Sequence, residues 1–180
     1  MVNLIRLCHH LRCVNPVLRR FKLVFALSKI ELTSPAFEQL GRIPVKHTGE
    51  GEDISPALAW TEVPEGTRSF VIACHDPDAP MISGASYGFV HWVVYNVPAS
   101  VRSFPEGFSG YTEGSNSFGR TTYGGPMPPP NHGTHLYYFW VFALDAELNL
   151  EPGLSLWQVL EKIEQHTLGM NRLVGTYSRG

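Results

Sequence analysis

Three runs of the chain are apolar almost without a break: "SFVIACH" from Ser69, "HWVVYNVP" from His91 and "HLYYFWVFALD" from His135. β-Branched and aromatic residues dominate them, and such side chains fit a pleated surface better than a helix. Continuous apolarity, rather than alternation, implies burial on both faces, so residues 68–75, 91–98 and 135–145 read as inner strands. Shorter candidates flank them. "KIELTSPAF" alternates until Pro35, apolar residues gather around Trp60, and "RLVGTYSRG" reads as a last strand. Helical periodicity stands out in one place. Leu156, Val159, Leu160 and Ile163 recur at i, i+3, i+4 and i+7 behind Ser155 and Gln158, the two halves of a capping box. That pattern predicts a helix over 155–166 packed on a sheet. Residues 99–134 are dominated by Gly, Pro, Ser and Asn, and a connection of that length carries minor elements or function.

Composition sharpens this picture without changing it. The 17 glycines and 14 prolines suit a turn-rich, mainly β domain rather than a helical bundle. At 180 residues the chain is long enough for one core, and residues 30–180 are expected to form one domain. Charge is uneven. Residues 1–30 carry six bases and no acid, while the remainder sums to −8. An acidic body excludes nucleic acid as the main partner, because phosphate neutralisation needs a basic face. Cys74 lies inside an apolar run and reads as a buried free thiol, and nothing demands an oxidising compartment, so a cytoplasmic location is expected. No run approaches the length of a membrane span, which argues against integral membrane association. Residues 1–29 read as a basic, poorly ordered extension, either the product of an upstream start codon or a targeting or surface-binding arm.

Candidate chemistry sits at the strand ends. "ACHDPDAP" closes the first run with His75, Asp76 and Asp78 on a turn stiffened by Pro77 and Pro80. His91 opens the second run. "YGGPMPPPNHGTH" leads into the third and supplies Gly124, Gly125, Pro126, His132 and His135. If the three strands are neighbours, these ends meet in one shallow pocket. Such a set suits a small oxyanion. Glycine lets backbone N–H groups come close to a ligand, and imidazoles donate to phosphate oxygens. A carboxylate beside a histidine fixes its tautomer and favours the cationic ring. Taken singly, each feature has a plainer reading: Asp-Pro-Asp is an ordinary turn, and a histidine at a strand start is usually a satisfied surface or core residue. The rival chemistry is a metal-dependent or acid/base hydrolase built on His75, Asp76, His91 and His135. No HExxH spacing, G-x-S-x-G elbow or P-loop supports it.

Taken in order, "DISPALAW", "ACHDPDAP", "HWVVYNVP" and "YGGPMPPPNHGTHLYYFWVFALD" resemble the phosphatidylethanolamine-binding protein family, most closely its bacterial Raf-kinase-inhibitor-like branch. The resemblance covers about residues 30–180. It implies a compact antiparallel Greek-key β-domain with a few peripheral helices and an anion pocket at one end. Carried over residue by residue, the pocket comprises Asp76, Asp78, Pro80, His91, Gly124, Gly125, Pro126, His135 and Tyr137, with a cis bond at Ala79–Pro80. The resemblance further implies binding without catalysis, no cofactor and no metal. Its ligands would be a small anion or phosphorylated headgroup. A kinase or protease is the implied protein partner, and a homodimer the implied assembly.

Overall fold

The computed structural model describes residues 27–79 and 87–180. In chain order its strands and helix are β1 (Glu31–Thr33), β2 (Leu58–Thr61), β3 (Ser69–Asp76), β4 (Phe89–Pro98), β5 (Ser103–Phe104), β6 (Thr112–Glu113), β7 (His135–Leu144), α1 (Leu156–Ile163) and β8 (Thr167–Tyr177). Short 3-10 turns cover Val45–His47 and Glu164–His166. The three apolar runs are indeed the inner strands of a five-stranded sheet ordered β6-β4-β3-β7-β8, and every pairing is antiparallel. β6 lies beside β4, and the chain then returns to set β7 on the far side of β3. Counting β3 as the first strand, the spatial order is 4-1-2-3, a Greek key. The long 99–134 connection makes that return, and it carries β5 and β6 on the way. A smaller sheet, β1-β2-β5, packs over one face.

Strand alternation divides the large sheet into two chemistries. Phe70, Ile72 and Cys74 of β3 point with Tyr137, Phe139 and Val141 of β7 toward the small sheet, where Trp60 and Phe104 meet edge to face at 5.2 Å. The thiol of Cys74 is buried and free, and burial pushes it well above the ordinary thiol range. Val71 and Ala73 of β3 and Phe142 and Leu144 of β7 face the other way, under Leu156, Val159 and Ile163 of α1. The capping box of that helix forms as expected: Gln158 N–H donates to Ser155 Oγ and Ser155 N–H to Gln158 Oε1. The α-helix ends at Ile163, however. Residues 164–166 tighten into the 3-10 turn, and Asp145 N–H donates to the carbonyl of His166 at the strand that follows. β4 also starts at Phe89, two residues ahead of the expected bound.

Among the described residues no helix is long and apolar enough to cross a membrane. The expectations for residues 1–26, for Pro80 and for the Ala79–Pro80 bond lie outside the described residues.

Candidate functional site

The end of β3 and the start of β7 are neighbours, because Cys74 pairs with Phe139 and His75 with Tyr138. That register puts Asp76 and His135 side by side at the margin of the core. Both are buried, at 3% and 2% exposure. His135 Nδ1–H donates to Asp76 Oδ2 at 2.7 Å, which fixes the proton on Nδ1 and leaves Nε2 as the nitrogen open to other partners. Asp76 Oδ1 accepts from the N–H of Asp78, two residues on. Asp78 is exposed and ties the other end, accepting at Oδ2 from Leu136 N–H at 2.8 Å. The two carboxylates of the Asp-Pro-Asp turn therefore have different tasks. One backs a histidine; the other clamps the first residues of β7. The remaining nitrogen of His135 meets Nδ1 of His132 at 2.8 Å.

His91 reaches the same region by a local irregularity. Cys74 pairs with Trp92 and His75 with Val90, so His91 is the extra residue of a β-bulge. Bulges re-aim side chains, and here the ring turns toward Tyr137, with centroids 5.2 Å apart. Its Nδ1–H donates to the carbonyl of Gly124 at 2.6 Å. Among the described residues no carboxylate is hydrogen-bonded to it. Burial holds its pKa down at about 4, only partly countered by the Gly124 carbonyl and the more distant charge of Asp76. His91 therefore differs from the imidazole donor expected of it: it is neutral at physiological pH, with Nδ1–H committed to Gly124 and Nε2 an acceptor. Tyr137 stands between the two rings, 6.4 Å from His135. Its hydroxyl is buried and has no hydrogen-bond partner of good geometry. Burial, reinforced by the nearby Asp76 carboxylate, raises the phenol above its ordinary pKa and keeps it protonated, a donor with no well-aligned acceptor.

The glycines do not act as expected. Gly124 N–H donates to the carbonyl of His91, and Gly125 N–H to Asp53 Oδ1 at 2.6 Å. Both donors are committed inside the protein. Glycine is needed there for space: a Cβ at Gly124 would lie 2.4 Å from the ring of Phe118, and one at Gly125 would lie 2.3 Å from the carbonyl oxygen of His47. Pro126 is buried next to them, and its carbonyl accepts from Gly49 N–H.

Asp53 and Phe118 were not legible in the sequence. Asp53 also binds Arg120 at 2.6 Å, and Phe118 sets its ring edge-on to His91 at 5.6 Å. Each sits in a loop without periodicity. The hydrolase set does not assemble, because alternation sends His75 to the opposite face. There its ring meets Trp157 at 5.6 Å and its Nε2 lies 3.0 Å from the carbonyl of Tyr87. Among the described residues no cluster of three or more His, Cys, Asp or Glu is arranged to hold a metal ion.

Antiparallel sheets in Greek-key order, with a buried Asp–His pair and a second histidine across a tyrosine, coincide with a sequence match over residues 33–178 to the family described as phosphatidylethanolamine-binding protein. The chain belongs to that family. It is 44% identical over 167 residues to a UPF0098 protein of Aquifex aeolicus, covering 88% of this chain and 95% of that one. It is 41% identical to the UPF0098 protein YbhB of Escherichia coli, covering 72% and 84%. Among solved structures, the chain superposes on CT736 of Chlamydia trachomatis, a phosphatidylethanolamine-binding protein homologue. That match has a TM-score of 0.78 and 36% identity, over 84% of this chain and 98% of that one. For YbcL of Escherichia coli the values are 0.77 and 30%, over 85% and 100%.

Proposed function

We propose that the protein is a non-enzymatic binding protein that takes a small phosphate-type anion, free or as a phospholipid headgroup, between His135, Tyr137 and His91. The observation that carries this reading is the donor set. Tyr137 holds a buried O–H with no well-aligned acceptor, and the Asp76 carboxylate that comes near it is already engaged by His135, a situation native interiors rarely leave unanswered. Beside it stands His135, backed by a buried carboxylate, so that its Nε2–H can be offered to an anion with the charge compensated behind it. His91, neutral and accepting at Nε2, complements a hydroxyl or ammonium on the same ligand. A headgroup carrying both a phosphate and a donor satisfies both sides. Binding is expected to be weak, because few hydrogen bonds must offset immobilisation of a small ligand.

The same reading places the protein in the cytoplasm, where a free buried thiol is ordinary, and makes any inhibitory action on a kinase or protease secondary to the pocket. The test is an NMR titration with phosphate and with phosphoethanolamine at pH 6, on the wild type and on His135→Ala and Asp76→Ala. The reading requires shifts centred on residues 76, 91, 135 and 137 in the wild type and their loss in both variants. Equal responses in all three proteins, or shifts elsewhere, would refute it.

A further inference from the structure

In this structure the nitrogen of His135 that an anion would need is already occupied. Nδ1 is committed to Asp76, and Nε2 lies 2.8 Å from Nδ1 of His132. The two partners are held very differently. His135 is 2% exposed, fixed by a buried carboxylate and seated at the first residue of β7. His132 is exposed, on a turn whose neighbours Asn131 and Gly133 both have positive φ, 60° and 94°. Its own N–H donates to the carbonyl of Pro129 at 3.2 Å, and the N–H of the adjacent Asn131 to the carbonyl of Arg179 at 3.3 Å, both long bonds. A Cβ placed on Gly133 would meet nothing within 4 Å, so the turn has open space beside it. One imidazole is buried and backed by a carboxylate; the other is exposed, beside open space.

From this asymmetry we infer that His132 is a built-in competitor: a displaceable stopper that satisfies His135 Nε2 in the empty site and must leave before an anion binds. The inference rests on the proposed anion site and specifies how that site is regulated. The charged or titratable groups around the pair are Asp76 and Asp78 from the β3 turn, His91 from β4 and Tyr137 from β7. Arg179 of the C-terminal segment touches the same turn, donating to the carbonyl of Pro128. None of them replaces His132 on Nε2. The stopper keeps a buried imidazole satisfied when no ligand is present, where an orphaned nitrogen would be costly. It also subtracts its own hydrogen bond from the affinity of every ligand that uses Nε2.

Competition of this kind has a signature that a direct contact lacks. Removing His132 should strengthen all anions by one common factor. One hydrogen bond of ordinary net strength corresponds to about three- to tenfold. The experiment titrates phosphate and, separately, acetate into wild type and His132→Ala, following the side-chain nitrogens of His135 and the amides of residues 76, 135 and 137. His132→Gln, which can still reach Nε2, serves as the second variant. The expected result is tighter binding of both anions to His132→Ala by a similar factor, with His132→Gln between the two. In the absence of ligand, the His135 Nε2 resonance should already move in His132→Ala. Unchanged or weaker binding in His132→Ala, with shifts still centred on His135, would overturn the stopper while leaving the anion site intact. No response at His135 in any of the proteins would overturn the site itself, and the stopper with it.

Discussion

The proposed site has two sides, and they hold their histidines by opposite means. On the β3–β7 side a carboxylate backs the ring: Asp76 receives His135 Nδ1–H at 2.7 Å. On the β4 side a neutral carbonyl does so: Gly124 receives His91 Nδ1–H at 2.6 Å. The bonds are of similar length and both rings are buried, yet only the first partner carries a charge. A buried imidazole facing a carbonyl loses hydration with only partial compensation and stays neutral, in line with the depressed pKa of His91. The contrast teaches that two equally buried histidines can have chemically different surroundings, set by the identity of the group behind each ring. One ring is backed by a carboxylate and the other by a neutral carbonyl.

The largest effect expected from breaking this contrast is on the charged side. Asp76→Ala strands a buried imidazole and frees the N–H of Asp78, so it should cost about 3–5 kcal/mol of stability, measured by urea unfolding. Next comes the neutral side, through pH. His91 favours its neutral form in the folded protein, and the unfolded chain binds its proton more readily. Its contribution is therefore fully present above pH 6.5 and is lost as pH falls toward about 4, amounting to about 3 kcal/mol across that window. Comparing unfolding of wild type and His91→Gln between pH 7 and pH 4 isolates it. The variant should show a shallower loss, and parallel curves would mean that folding does not shift the His91 pKa. Gly125→Ala presses a methyl onto the His47 carbonyl and should cost roughly 1–3 kcal/mol. The phosphate response at His135 should survive it. The smallest effect is Arg120→Ala. Its ion pair with Asp53 is 44% and 32% exposed, so thermal unfolding should reveal about 1 kcal/mol or less.

The sequence made part of this visible for definite physical reasons. Inner strands declare themselves by being apolar on both faces, so β3, β4 and β7 could be located, and with them the strand ends that carry Asp76, His91 and His135. Their neighbourhood followed from the family resemblance, and the antiparallel register accounts for it. The face on which a residue falls was harder. In a run buried on both sides, composition does not reveal which residues face which core, and a bulge changes the count. His91 owes its orientation to the bulge between Val90 and Trp92, which leaves no trace in an apolar run. The donor assignment of the glycines was misread because the partner of Gly125 is Asp53, 72 residues earlier in a loop with no periodic signal. Glycine was correctly singled out, but the reason is steric space rather than free N–H groups.

The central claim is that an anion in this pocket is held by the carboxylate-backed histidine and not by the carbonyl-backed one. Side-chain nitrogen NMR of both rings during a phosphate titration at pH 6 tests it most directly. The account predicts that His135 Nε2 moves to the protonated, hydrogen-bonded position as phosphate is added, while His91 remains the neutral Nδ1–H tautomer throughout. Protonation of His91 on phosphate binding, with His135 unchanged, would contradict it.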